Sequence, residues 1–260
     1  MNISERLNTI IHMVRPCSLL ADIGCDHGYV CIRTVQTGQA ASAIASDVAA
    51  GPLQIAADNV RAADLEDRIT LILADGLEGI PADARPECIV MTGIGGLLMR
   101  RILQTLSAES SEDDRFSKLS QLVLGPQSDI GEVRHFLIDT LRYPIVREVT
   151  VQEDGKFYTL LDVQPERTED VEFNAAGAYE YSESQYMYGK YIDPETADVY
   201  RAYLDQQHRI LTDAYHGALK GCAFGAAQAL QDIKHRLALA EAAQDRIESA
   251  LVHGKEPSRR

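Results

Sequence analysis

Between residues 19 and 164, short apolar runs alternate with stretches of helical periodicity, and this alternation restricts the fold more than any other feature of the chain. The runs are SLLADIG, SAIASDV, RITLILADG, CIVMTG and LSQLVLGPQ, each of strand length. GYVCIRTVQ, GPLQIAADNVRAADL, GGLLMRRILQTL and DIGEVRHFLIDTL carry apolar residues at helical spacing. Apolar strands alternating with helices predict a parallel sheet covered on both faces. The end of the region departs from the pattern. YPIVREVTVQEDGKFYTLLDVQ reads as two strands around a turn at Asp154-Gly155, so an antiparallel hairpin should finish the sheet.

Ahead of the first strand, Leu7, Ile10, Ile11 and Val14 form one face of an amphipathic helix, with none of the marks of a signal peptide. Residues 165–193 are acidic, tyrosine-rich and aperiodic, and read as a linker or capping segment. Asp193-Pro194-Glu195 is a helix start, with an N-cap carboxylate and proline at the first position. Tyr200, Leu204, Gln207, Leu211, Ala214 and Ala218 then recur at heptad spacing. After GCAFG, residues Leu230, Ile233, Leu237, Ala240, Gln244, Ile247 and Leu251 do the same, which predicts an antiparallel helical hairpin, a coiled coil, over 194–260. Residues 1–164 then form one α/β domain ahead of the linker.

The chemistry is expected at the carboxyl ends of the strands. In ADIGCDHGY, Asp22 ends a strand, and Gly24 and Gly28 permit a tight turn into a helix. Asp47 ends the second strand about 20 residues further on, where a carboxylate accepts both hydrogen bonds of a ribose diol. Asp75-Gly76 ends the third, placed for an adenine edge. Met91 and Gly93 at the end of the fourth, with Gly95 and Gly96, bring bare backbone to the same crevice, and Gln127 after the fifth points an amide there. A dinucleotide would set its pyrophosphate over the first turn, against Asp26. S-adenosylmethionine has no phosphate and carries an ammonium and a sulfonium, so an acidic turn suits it and disfavours a nicotinamide cofactor. Asp22, Gly24, Cys25, Asp26, Gly28, Asp47, Asp75, Gly76, Met91 and Gly93 are the candidate cofactor residues.

These motifs, with ASDVAAGPLQIAADNV, LGPQSDIGEVRHFL and the EDGKFY hairpin in this order, resemble the bacterial tRNA (adenine(22)-N(1))-methyltransferases of the TrmK family. The resemblance runs from Ser4 to Gln164, and the helical hairpin fits the appendage of those enzymes. It implies a class I methyltransferase fold, S-adenosylmethionine as donor and N1 of an adenine in tRNA as acceptor. The sequence departs in reading GPQ where the family often has QPN, so that Gln127 stands in for an asparagine, and in carrying Cys25 where serine is common.

N1 of adenine has an unshared pair at neutral pH and needs no base, whereas the methylated product is cationic. A carboxylate beside the base favours that charge, and Asp26 is the candidate, with His27 and Tyr29 stacking on or orienting the base. N1 lies on the pairing edge, so the nucleotide must leave its stack. Gly95, Gly96, Gln127, Arg100, Arg101 and Arg134 are the candidate acceptor-side residues. The net charge of −14 opposes RNA at long range. A local basic stripe of Arg100, Arg101 and Arg134, with the hairpin as a second contact, is therefore expected.

Five cysteines without a CxxC pair argue against a disulfide framework or a thiolate metal site. No metal, no membrane contact, a cytoplasmic location and a monomer are the remaining expectations. Two other readings stay open on residues alone: a methyltransferase acting on a small molecule or protein, and a non-catalytic S-adenosylmethionine-binding module. A dehydrogenase is disfavoured by Asp26.

Overall fold

The computed structural model describes residues 3–107, 114–165, 180–220 and 226–253. They fall into two compact units, divided between Tyr179 and Glu180.

The first unit opens with α1 (Glu5–Met13), capped by Ser4, whose side chain accepts from the Leu7 amide. Then come β1 (Cys17–Ile23), α2 (Tyr29–Gln36), β2 (Ala40–Asp47), α3 (Ala50–Ala62), β3 (Ile69–Leu73), β4 (Cys88–Thr92), α4 (Gly96–Leu103), β5 (Gln121–Gly125), α5 (Ile130–His135), β6 (Ile145–Glu153) and β7 (Lys156–Val163). The helix expected over DIGEVRHFLIDTL changes character halfway: after α5 the chain widens into a π-helical turn, Phe136–Leu141, and stops where Arg142 turns left-handed at φ +58°.

The strands form one sheet in the order β3-β2-β1-β4-β5-β7-β6. β1 to β5 are parallel; β7 runs antiparallel to β5, and β6 antiparallel to β7. Strand order reverses between β1 and β4. Crossovers of one hand therefore send α2 and α3 to one face and α4 to the other, which opens a crevice where β1 and β4 end. Central-strand residues Leu20, Ala21, Ile89, Val90, Leu122 and Val123 are fully buried, as a sheet covered on both faces requires. Buried residues of α1, α2 and α3 share one apolar cluster with the sheet, and α4 and α5 bury Met99, Leu103, Val133 and Leu137.

The second unit holds α6 (Glu183–Tyr188), α7 (Ala197–Lys220) and α8 (Ala226–His253). Side-chain pairs Arg201–Glu248, Asp205–Gln244 and His208–Glu241 step in opposite directions along α7 and α8, so the helices are antiparallel. Tyr200, Leu204, Leu211, Ala240 and Ile247 from the two heptad stripes share a buried cluster. Asp193 caps a single 3-10 turn, Pro194–Thr196, which leads into α7. Of the segment expected as a linker, 166–179 lie outside the described residues, as does GCAFG with Cys222. The segment does hold one helix, α6. Ser182 and Gln185 close a reciprocal capping box on it, and Ser184 Oγ donates to the Leu239 carbonyl at 2.7 Å.

Candidate functional site

The chain leaves β1 through a turn in which Gly24, Asp26 and Gly28 are all left-handed, at φ +77°, +49° and +73°. Aspartate is among the few side chains that tolerate this region. At Gly28, an added Cβ would lie 3.2 Å from the Ala56 Cβ, so glycine lets the turn close on α3. β2 pins the turn in place. The Ser46 carbonyl accepts from the amides of Gly24 and Cys25 at 2.8 and 3.0 Å, and Asp47 Oδ2 accepts from the Asp26 amide at 3.2 Å. Asp47 Oδ1 accepts from the Ala49 amide at 2.8 Å, and Asn59 donates to the His27 carbonyl at 2.9 Å. Each Asp47 oxygen keeps a further lone pair for a ligand.

This turn borders a cavity of about 590 Å³ at the strand ends, within the range of small-molecule sites. Asp22, Asp26, Asp47 and Asp75 all line it, and Val48, Ile94, Leu98 and Ile102 supply apolar wall. Asp22 is only 3% exposed, and burial, then Asp47, then Asp26 push its carboxyl up to about 7. Burial, followed by the Asp22 charge, pushes the Cys25 and Cys31 thiols up, so neither is a poised nucleophile. Asp26, by contrast, is open: its side chain is 68% exposed at the rim. The His27 Nδ1 is buried without a hydrogen-bond partner, and the nearest Asp26 oxygen is 3.6 Å away. The Tyr29 ring meets the His27 ring edge-on at 5.9 Å between centroids.

The residues that build this acidic cavity fall within a recognised family: residues 3–161 match the family described as "Methyltransferase domain". The chain belongs to this family.

Among curated relatives of this methyltransferase domain, the tRNA (adenine(22)-N(1))-methyltransferase of Bacillus subtilis is 31% identical over 62% of this chain and 64% of its own length. The chain thus spans less than two thirds of that relative. A putative tRNA methyltransferase of Mycoplasma pneumoniae is 32% identical over 61% of this chain and 70% of its own. Among solved structures, Sp1610 of Streptococcus pneumoniae, a putative tRNA (m1A22) methyltransferase in complex with S-adenosyl-L-methionine, superposes with TM-score 0.76. It is 27% identical and covers 94% of this chain and 100% of its own.

The cavity of the methyltransferase domain gathers Asp22, Gly24, Cys25, Asp26, His27, Tyr29, Asp47, Asp75, Gly76, Gly93 and Gln127. Four glycine-motif or strand residues expected at the ligand do other work. Gly28 packs on Ala56, as above. Met91 is fully buried within β4, away from the lining. A Cβ on Gly96 would sit 2.3 Å from the Ser128 carbonyl oxygen, and one on Gly95 3.3 Å from Ser128 Oγ, so these glycines let α4 start against the loop after β5.

The expected basic stripe needs a larger correction. Arg134 is 1% exposed, and its Nη2 and Nε donate to Glu148 Oε2 at 2.7 and 3.0 Å. An arginine so buried is part of the core and does not reach a phosphate at the surface. Arg100 and Arg101 are about half exposed: Arg100 pairs with Glu132 at 3.1 Å, and Arg101 Nη2 reaches both Asp75 oxygens at 3.0 and 3.1 Å.

Residues missed from sequence include Val48, Ile94, Leu98 and Ile102, and a group from the chain start: Ile3, Ser4, Arg6, Leu7 and Ile10. Val48, 71% exposed immediately after Asp47, carried the readable signal, an apolar residue beside the acid expected at a ribose. Leu7 and Ile10 belong to the amphipathic stripe of α1, which here forms a wall of the cavity. No helix among the described residues is long and apolar enough to cross a membrane. No group of three or more His, Cys, Asp or Glu among them could hold a metal ion.

Proposed function

We propose that this chain transfers a methyl group from S-adenosylmethionine to N1 of adenine 22 in tRNA, and that it works in the cytoplasm with the tRNA pool. The observation that carries the proposal is a cavity lined by four aspartates, in which burial first, and then Asp47 and Asp26, raise the carboxyl of Asp22. A pyrophosphate would be repelled there, and a positively charged ligand favoured. S-adenosylmethionine, when bound, supplies an electrophilic methyl group on a cationic sulfur. Asp47 would accept from the ribose hydroxyls and Asp75 from the adenine amine of the donor, with Val48 and Ile102 against its base. Asp22 lies deepest and offsets the positive charge of the amino-acid end. The relatives named for tRNA (adenine(22)-N(1)) methylation supply the acceptor part of the reading.

On the acceptor side, Asp26 stands at the open rim, where a carboxylate steadies the charge that develops on the methylated ring. His27 and Tyr29 both line the cavity beside it, as rings that would orient or stack on the base. Gln127, after β5, adds an amide to the lining of the same cavity. No proton has to be removed from N1. The residues' task is to hold the base, exclude water and meet the product's charge.

The test is incubation with labelled donor and total tRNA lacking the modification, followed by nucleoside analysis. Label in 1-methyladenosine, lost when adenine 22 is replaced by guanine, is expected. Label in proteins or small molecules with none in tRNA overturns the reading.

A further inference from the structure

Four aspartates line the cavity, and among its described lining residues there is one arginine or lysine, Arg6. None of the roles above uses it. Arg6 sits in the first turn of α1, and the β6–β7 hairpin holds it from two sides. Its amide donates to Glu153 Oε1 at 3.3 Å, its Nε lies 3.5 Å from Glu153 Oε2, and its guanidinium carbon stands 4.4 Å from the Tyr158 ring centroid. Nε makes no hydrogen bond, and neither Nη nitrogen hydrogen-bonds to a described residue. Its side chain is 31% exposed. An ion pair kept only for stability would gain little from such loose geometry. A guanidinium held by a carboxylate and an aromatic face, with its terminal donors unused, is a preformed fork.

We propose that Arg6 is the oxyanion contact of this cavity, its Nη donors taking either the carboxylate of the donor's amino-acid tail or a phosphate beside the acceptor base. Both are planar or tetrahedral oxyanions that a guanidinium grips through two parallel hydrogen bonds. In a lining otherwise acidic, an anionic group is repelled everywhere except at the one cation, so Arg6 fixes which end of a ligand lies where. Glu153 and Tyr158 hold it in place beforehand, which lowers the ordering cost on binding. Arg6 then belongs to the binding machinery, and α1 is the element that supplies it.

The inference rests on the methyltransferase reading, and the experiment separates the two. Wild type, Arg6→Met and Arg6→Lys are titrated calorimetrically with S-adenosylhomocysteine, which has the carboxylate, and with 5′-methylthioadenosine, which lacks the amino-acid tail. KM for tRNA is measured alongside. Methionine keeps the apolar stem over Tyr158, and lysine keeps the charge without the fork. If the carboxylate is the partner, Arg6→Met weakens S-adenosylhomocysteine roughly ten- to a hundredfold, Arg6→Lys less, and methylthioadenosine is unchanged. If the phosphate is the partner, both nucleosides bind as in wild type and KM for tRNA rises by a similar factor. Unchanged values throughout, or an equal loss for both nucleosides, overturn the proposal. Should Arg6→Met fail to fold, Arg6→Lys decides by the same comparison. Wild-type protein that binds neither nucleoside overturns the methyltransferase reading itself.

Discussion

The Asp26 amide donates to the Asp47 carboxylate at 3.2 Å, so the turn after β1 and the end of β2 are tied through the side chain expected to hold a ribose. The same carboxylate accepts from Ala49 at 2.8 Å. The group that shapes the turn is thus the one proposed to serve the ligand.

That double use refines the prediction for Asp47. Asp47→Asn keeps an acceptor oxygen for one of the two amides and should leave a folded protein. S-adenosylhomocysteine affinity should fall by about 1–3 kcal/mol, because a charge-assisted pair to the diol is lost. Asp47→Ala should cost more and also lower the melting temperature, since the turn loses both anchors. Calorimetry with unchanged affinity for Asp47→Asn would remove Asp47 from the ribose site.

Asp26 is separable from Asp47 by kinetics. Its backbone is left-handed at φ +49°, a conformation that asparagine also tolerates, so Asp26→Asn removes the charge and keeps the turn. Turnover should drop on the order of 100-fold, with donor affinity nearly unchanged. If turnover survives and donor binding collapses instead, Asp26 belongs to the donor side.

Asp22 predicts a pH dependence. Its carboxyl is raised from 3.8 to about 7, by burial first and then by Asp47 and Asp26. Below the unfolded value both states hold the proton and there is no effect. Between about 4 and 7 the folded state holds a proton that the unfolded state has lost, so stability falls as pH rises through this window. The whole loss is on the order of 4 kcal/mol, complete above about pH 7. Asp22→Asn should flatten this slope in denaturant titrations. A cationic ligand favours the charged form, so binding at pH 6 should release a proton, seen as a dependence of calorimetric enthalpy on buffer ionisation heat. An enthalpy independent of buffer would show that the ligand leaves Asp22 as it was.

The strands were legible because burial on both faces leaves near-continuous apolar runs, and β1, β2 and β4 lie where SLLADIG, SAIASDV and CIVMTG stand. The acids were legible because strand ends in such a sheet converge on one edge. What failed were judgements that depended on a packing partner distant in the chain. Arg134 follows GPQ on a helix, as a phosphate-binding residue would, but helix periodicity also allows the inner face, and Glu148 on β6 waits there; nothing local in the sequence reveals that partner. Gly96 reads like a ligand glycine, yet what it makes room for is the backbone at Ser128, 32 residues away in the chain. α6 was readable in principle: Ser182 and Gln185 have capping-box spacing, hidden among tyrosines without period.

The arginines divide into two predictions of opposite kind. Arg134 and Glu148 are buried partners, 1% and 0% exposed at their side chains. Removing one takes a 2.7 Å partner from a buried charge, so Arg134→Met should destabilise by about 3–5 kcal/mol, while tRNA affinity measured on the folded fraction stays the same. Arg100 and Arg101 lie on the surface of α4, half exposed, and we expect them to meet phosphate. Arg100→Glu should weaken tRNA binding with stability changed by less than about 1 kcal/mol, because its pair with Glu132 is exposed and screened. Arg101 is harder to isolate. It grips Asp75, which lines the cavity proposed for the donor, so Arg101→Gln should weaken tRNA and also alter donor affinity, whereas Arg100→Glu should touch tRNA alone. With Arg134 withdrawn into the core and the surface acidic, tRNA affinity should fall with salt by a slope of roughly two to four released counterions. Filter binding across a salt series checks all three. A slope unchanged by Arg100→Glu, with affinity intact, would mean that α4 faces solvent in the complex and that the phosphates are met on another surface.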